Sequence, residues 1–272
     1  MPIFMPDSPR SCTQYCPHVI VALAGKGGAG KTTLAATLAR TLARAGRRVV
    51  AIDADSNPNL SVALGIPTGP AAVSLPASLV SRRLTGPALT EPVEAVLDQY
   101  ATPAPDGVRL LLMGMPGHAE EGCLCSAHAT VSAVLHELRE QPETLTVVDL
   151  EASPEHLSRG TARHADLLLL VAEPYFRSLE SVRRQAVLAG ELPIPRVVVV
   201  ANKVRSRGDS DAIAEFCDSH GLELVAAVPW NDGVLGADAD RVPLIEAPGC
   251  HDVVAAVTSL AEQIVPTGSV RP

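Results

Sequence analysis

The run Ala24-Gly25-Lys26-Gly27-Gly28-Ala29-Gly30-Lys31-Thr32-Thr33 constrains the fold of this chain more than any other stretch. An apolar, β-branched segment at 19–23 precedes it. A helical spacing of Leu34, Ala35, Leu38, Ala39 and Leu42 follows. Strand, glycine-rich turn and helix N-terminus together make a phosphate cradle. Glycines let successive backbone N–H groups point inward at phosphate oxygens, and the helix start adds partial positive charge. The G-x-x-x-x-G-K-T spacing runs from Gly25 to Thr32. It predicts backbone contacts from Gly25, Gly27, Gly28, Ala29 and Gly30, with Thr33 completing the set. Lys31 belongs where the β- and γ-phosphates would lie, and the Thr32 hydroxyl beside Mg²⁺.

Such a loop needs a strand before it and a helix after it, and the rest of the chain repeats that rhythm. Strand-like runs lie at 19–24, 48–52, 108–113, 146–150, 166–172, 196–201 and 223–228. Helical patterns lie at 32–45, 127–139, 179–189, 211–220 and 251–263. Several strand runs are nearly all apolar, as strands covered on both faces must be. The expected fold is α/β, a doubly wound, mostly parallel sheet flanked by helices, with its ligand beyond the carboxyl ends of the strands. The segment 67–105 reads as an irregular insertion with a short helix at 94–100. The expected organisation is a disordered tail at 1–17, a single domain at 18–265 and a short tail at 266–272.

Aromatics make up only 3% of the 272 residues, so a core must come from Ala, Val, Leu and Ile. The net charge of −8 without a basic block argues against a nucleic-acid partner. No apolar run reaches the length of a membrane span, and the N-terminus does not read as a secretory signal. The expected location is cytoplasmic, with no membrane partner. There thiols stay reduced, so the six cysteines read first as core residues or metal ligands rather than disulfides.

Carboxylates sit where strands end. Ile52-Asp53-Ala54-Asp55 closes the second strand run, and a carboxylate there can hold Mg²⁺ through water or orient the attacking water. The alternative is that one of the two caps the following turn beside Asn57 and Pro58. Val147-Val148-Asp149-Leu150 is an apolar strand ending in a second Mg²⁺ candidate, Asp149. Asn202 ends another strand and offers both a carbonyl and an amide, matching the edge of adenine; a plain turn asparagine is the alternative. Pro229 and Trp230 end the last strand, where Trp230 is either a lid over a base or core.

Lys26, directly after the first glycine of the loop, is not needed by a generic phosphate loop. With the string K-G-G-x-G-K-T-T it resembles the deviant-Walker-A ATPases, the family of MinD, ParA and the nitrogenase iron protein. The resemblance implies an ATP-dependent homodimer in which Lys26 reaches the partner's nucleotide. It also implies that Asp55 positions the water, that Asp53 lies nearer the metal, that Asn202 reads the purine, and that Glu151 and Ser153 form a switch sensing the γ-phosphate. The family usually has glycine where this chain has Ser153, and a φ above zero would cost serine more.

Cys123-Leu124-Cys125 stands just ahead of a helical stretch. Two cysteines this close do not easily pair with each other, whereas their thiolates can share one Ni²⁺ or Zn²⁺. One chain offers two sulfurs where a closed site needs about four ligands, so a two-fold dimer would complete the set. His118 and His128 are alternative ligands nearby, and small buried hydrophobes are the alternative reading of both cysteines. Cys12 and Cys16 lie in the tail; Cys217 and Cys250 read as core.

The segments 122–125, 149–152 and 155–162, with Glu173-Pro174 and 177–180, look like CooC-type ATPases, accessory proteins that insert nickel into carbon monoxide dehydrogenase. The resemblance implies nickel at Cys123 and Cys125 of two subunits and carbon monoxide dehydrogenase as client. Within it, Glu155 and His156 read as a helix cap and a structural histidine. The competing readings are a partition or positioning ATPase of the ParA or MinD kind, and an iron–sulfur electron donor. The second is disfavoured because no cysteine lies between Cys125 and Cys217.

Overall fold

Alternate residues of the first strand face different helical layers: Ile20, Ala22 and Ala24 pack in one core cluster, Val21 and Leu23 in another. That is why the strand is continuously apolar; neither of its faces meets water. The structure is a computed structural model that describes residues 18–67, 73–83, 86–114 and 124–265. The tails expected at 1–17 and 266–272 lie outside the described residues.

In chain order the elements are β1 (Val19–Gly25), α1 (Lys31–Arg44), β2 (Arg48–Ala54), α2 (Leu60–Leu64), β3 (Val80–Arg83), β4 (Gly86–Leu89), α3 (Val93–Tyr100), β5 (Thr102–Pro103) and β6 (Arg109–Leu112). There follow α4 (Cys125–Leu138), β7 (Thr144–Leu150), α5 (Glu155–Ser158), β8 (Leu167–Ala172), α6 (Phe176–Ala189) and β9 (Arg196–Val204). The last are α7 (Arg207–Ser219), β10 (Glu223–Pro229), α8 (Gly233–Ala239) and α9 (His251–Ile264). Eight strands form one sheet in the order β10-β9-β8-β1-β7-β2-β6-β5, parallel throughout except where β5 meets β6. Helices α3, α4, α6 and α7 bury residues in the cluster on one face, and α1, α2, α8 and α9 in that on the other. This is the expected doubly wound, mostly parallel architecture. Among the described residues no helix is long and apolar enough to cross a membrane.

One feature of the strand order positions the site. β7 lies between β1 and β2, although 89 residues and four strands (β3 to β6) separate it from β2 in the chain. Register places Asp149 beside Leu23 on one side and beside Asp53 on the other. Three strand ends thus converge beyond the carboxyl edge of the sheet, the place where parallel sheets hold ligands.

The seven expected strands are all present, with edges shifted by a few residues. The insertion at 67–105 is less irregular than expected: β3 and β4 pair as an antiparallel hairpin, and α3 covers the expected short helix. Two helices, α6 and α7, start about one turn earlier than their apolar spacing suggests. For α7 the reason is a capping box, in which Ser206 Oγ accepts from the N–H of Asp209 and the Asp209 carboxylate accepts back from the N–H of Ser206. For α6 the first turn includes Phe176, which is 75% exposed and carries no periodicity signal. Helix α1 is tied down at mid-length by Arg40, a buried guanidinium that donates to Asp106, to Glu246 and to the carbonyl of Leu64. A buried arginine is tolerated only with such partners.

Candidate functional site

The loop between β1 and α1 takes its shape from glycine. Gly25 sits at φ 148°, and a Cβ there would come within 2.6 Å of the Val171 carbonyl on β8. Gly30 holds φ 95° as the N-cap of α1, and a side chain on it would strike Asn202. Neither position accepts an L side chain without moving a strand or the loop. The loop borders a cleft of about 660 Å³ lined by Gly27, Gly28, Gly30, Lys31, Thr32 and Thr33, and across it by Asp55, Glu151, Ala152, Ser153 and Lys203. Ala29 is buried behind the loop. Lys31 is almost buried and its Nζ donates back to the Lys26 carbonyl at 3.4 Å. Burial lowers its pKa, opposed by the negative charges of Asp149, Asp55 and Glu151.

The two in-register carboxylates differ. Asp53 Oδ1 accepts from the N–H of Asp55 at 3.2 Å, and Oδ2 from the N–H of Leu60, the first residue of α2, at 2.8 Å. Its burial pushes the pKa up to about 6 in spite of those two bonds. Asp53 therefore organises the turn that leads into α2, with one backbone donor on each carboxylate oxygen. Asp149 is hydrogen-bonded to Thr32, yet its Oδ1 is buried without a hydrogen-bond partner. Burial raises its pKa to about 7; the Thr32 bond opposes this and the charge of Asp53 adds to it. An orphaned, desolvated carboxylate oxygen beside a threonine hydroxyl is what a hard divalent cation fits, since Mg²⁺ takes oxygen donors and keeps its waters. Asp55 is half-buried and faces the cleft, with Oδ1 accepting from the N–H of Asn57 at 2.8 Å. Glu151 accepts from the Ser56 hydroxyl at 2.9 Å, joining the loops after β2 and β7. Ser153 is not among the four non-glycine residues with left-handed φ, so no strain arises at the position where the family usually has glycine.

A second hollow of about 100 Å³ adjoins the cleft, lined by Gly30, Thr33, Asn202, Pro229, Trp230 and Leu235 among others. Asn202 Nδ2 donates to the Ala29 carbonyl at 2.7 Å, so part of its donor capacity holds the phosphate loop. Trp230 lines this hollow and is half-buried, which excludes the plain core alternative. Its Nε1 donates to Asp232 at 2.8 Å and the Arg205 guanidinium stacks on its ring at 3.8 Å. Helix α8, absent from the sequence reading, supplies Val234 and Leu235 to both hollows.

Lys26 lies against its own chain. Its Nζ donates to the Tyr175 hydroxyl at 3.3 Å, and Tyr175 donates to Glu173 at 2.7 Å. Glu173 also pairs at 2.8 Å with Lys203, which reaches the carbonyl of Gly28. Nothing in the sequence alone assigns Glu173 and Lys203 to this network. Their places at the ends of β8 and β9, the strands beyond β1, were the available signal.

At the start of α4, Cys125 is exposed and its sulfur accepts from Arg159 Nη1 at 2.9 Å. Exposure at a helix start leaves this sulfur open to oxidation, unlike Cys217 and Cys250. Those two are buried free thiols whose pKa burial raises, to about 11 for Cys217. Cys123, His118, Cys12 and Cys16 lie outside the described residues. Among the described residues no group of three or more His, Cys, Asp or Glu side chains could hold a metal ion. His128 is buried with Nδ1 3.0 Å from the Thr161 hydroxyl, and His156 is buried with its pKa pushed down to about 3, chiefly by burial and then by the charge of Lys31. Both occupy interior positions.

Residues 20–244 match the family described as the CobQ/CobB/MinD/ParA nucleotide binding domain. The chain is 34% identical to the carbon monoxide dehydrogenase accessory protein CooC of Rhodospirillum rubrum, over 92% of this chain and 99% of that one. It is 31% identical to an uncharacterised ATP-binding protein of Methanocaldococcus jannaschii, over 80% of this chain and 88% of the relative. The fold is that of the septum site-determining protein MinD of Pyrococcus horikoshii in complex with Mg-ADP, with a TM-score of 0.70 at 17% identity, covering 94% of this chain and 99% of that one. A glycine-shaped loop, an in-register acidic pair and these likenesses together make the chain a P-loop ATPase of the CobQ/CobB/MinD/ParA family and a relative of CooC.

Proposed function

We propose that this chain is an ATP-dependent homodimeric metallochaperone that delivers nickel for the maturation of carbon monoxide dehydrogenase. The observation that carries the reading is the likeness to CooC along 99% of that protein, joined to a C-x-C pair that ends at the first residue of α4. In this reading Gly25, Gly27, Gly28, Ala29, Gly30 and Thr33 wrap the phosphates, and Lys31 exchanges the Lys26 carbonyl for β- and γ-phosphate oxygens. Thr32 and Asp149 hold Mg²⁺, which when bound neutralises charge developing on the transferring phosphoryl group. Asp55 orients the attacking water at the open side of the cleft. Asn202, Pro229 and Trp230 receive the adenine. Lys26 leaves Tyr175 and enters the partner's cleft.

ATP favours the closed dimer, and closure brings Cys123 and Cys125 of two subunits together around one Ni²⁺, or Zn²⁺. Because both ligands favour one state, each tightens the binding of the other. The Cys125 thiol must be kept reduced, since the thiolate is the metal ligand. Hydrolysis opens the dimer and exposes the metal to the client. The work is cytoplasmic, where thiols are kept reduced.

The test is a titration of Ni²⁺ and Zn²⁺ into reduced, oxygen-free protein, with and without ATP, followed by native mass and thiolate-to-metal absorption. One metal per dimer, lost in a Cys123→Ser, Cys125→Ser variant, is expected. A reduced dimer that takes up no metal overturns the proposal. Lys26→Ala is expected to lose ATP-dependent dimerisation; normal dimerisation and hydrolysis by that variant would remove the trans role.

A further inference from the structure

Arg159 belongs to the string Glu155-His156-Leu157-Ser158-Arg159-Gly160-Thr161-Ala162, which the nucleotide machinery does not use. The structure shows where it goes. Its Nη1 donates to Cys125 Sγ at 2.9 Å, across thirty-four positions of sequence. Two residues later the Thr161 hydroxyl meets Nδ1 of His128 at 3.0 Å, in buried surroundings. The two contacts strike α4 at positions 125 and 128, one turn apart on one face.

The same segment begins in the nucleotide cleft. Glu151, Ala152 and Ser153 line the cleft directly. Arg159 follows Ser153 by only six residues, through Pro154 and the single turn of α5. This link is short and well anchored: His156 and Leu157 are buried. A shift at Ser153 therefore reaches Arg159 with little slack, because packed interiors move as units.

We infer that Arg159 is a positioning residue that fastens the sulfur of Cys125 to the segment leaving the nucleotide cleft, so that one contact links nucleotide state to the holding of metal. The inference rests on the metallochaperone reading for its ligand and on the structure for its path. Charge supports it. Four thiolates around one Ni²⁺ carry a net charge of −2, and two guanidiniums, one per subunit, neutralise it. Arginine suits the place better than lysine, because its planar fork can donate to sulfur and still meet a second acceptor.

The experiment compares the reduced, full-length protein with Arg159→Ala and Arg159→Lys, using Ni²⁺ alone as the metal probe. Nickel affinity is measured by thiolate-to-metal absorption, with and without a non-hydrolysable ATP analogue. Amide exchange of residues 124–130 and 26–33 is measured on the same samples without metal. Arg159→Ala is expected to weaken nickel binding about tenfold, the usual effect of removing a group that orients a metal ligand. It should also lose most of the nucleotide-driven tightening, with nucleotide affinity unchanged, and Arg159→Lys should recover part of both.

In the wild type the analogue should protect both 26–33 and 124–130; in Arg159→Ala it should protect only the former. Unchanged nickel affinity and unchanged nucleotide response in Arg159→Ala overturn the inference. Wild-type protein that binds no nickel overturns the metallochaperone reading instead. The exchange arm then decides separately whether Arg159 links cleft and helix: equal protection of 124–130 in wild type and Arg159→Ala removes the link.

Discussion

The ends of β2 and β7 are neighbours in register, and each carries an aspartate, yet the two carboxylates are in opposite states. Asp53 is satisfied by two backbone N–H groups and holds a turn together. Asp149 keeps an oxygen with no hydrogen-bond partner in a fully buried position. The difference teaches how a family motif divides its labour. One acid spends its acceptors on the fold. The other is left in debt by the fold, and only a ligand can settle it. A buried polar atom without a partner costs roughly 1–3 kcal/mol, more when charged. A sound protein keeps such a cost where it serves binding.

The sharpest way to break this contrast is Asp149→Asn. Hydrolysis of Mg-ATP is expected to fall about a thousandfold, as when one charge-stabilising group is removed from a site. The nucleotide-free protein should at the same time melt at a higher temperature at pH 8, because a buried charge has been removed. A variant that loses both activity and stability would show that Asp149 is structural.

The pH profile of the apo protein sharpens the same point. Both native pKa values, about 7 for Asp149 and about 6 for Asp53, lie above the ordinary 3.8. Between these limits the folded chain holds protons that the unfolded chain has lost. The contribution to stability is therefore complete below about pH 4 and is lost as pH rises to about 7, amounting to on the order of 4 kcal/mol for Asp149. Denaturant midpoints across that range should fall for wild type and stay flatter for Asp149→Asn. Saturating Mg-ATP should flatten the wild-type profile, since a bound cation replaces the proton.

Asp53→Ala tests the other strand end. It strands two backbone donors, one of them at the start of α2, and is expected to cost about 2–4 kcal/mol in chemical denaturation. Residual activity per folded molecule should persist. A loss of activity without a loss of stability would place Asp53 with the metal. The smallest effect belongs to Ser153→Gly. Ser153 needs no left-handed φ, so the family's glycine should change the hydrolysis rate by less than about threefold. A larger gain would mean that the closed dimer demands a conformation that serine resists.

A good deal of this molecule is legible in its residues. Gly25 to Thr33, with an apolar run before and a helical run after, dictate a phosphate loop between strand and helix, because no other local conformation suits so many glycines and a Lys-Thr pair. Near-continuous apolar strands dictate a sheet covered on both faces. The hairpin of β3 and β4 was hidden because its strands are four residues each and contain Gly86 and Pro87, which read as loop. Helix α8 was hidden because Gly233 and Gly236 interrupt its seven residues.

What the chain alone could not decide was which residues meet across distance. Nothing local distinguishes Asp53 from Asp149; both end apolar strands. Only the insertion of β7 between β1 and β2 brings Asp149 to Thr32 while the turn into α2 claims Asp53. Nothing local ties Arg159 to Cys125, or Lys26 to Tyr175 and Glu173. Sequence specifies the elements through short-range backbone geometry and hydrophobic period. The satisfaction of buried charge is a property of neighbours in space, and strand order is what supplies the neighbours.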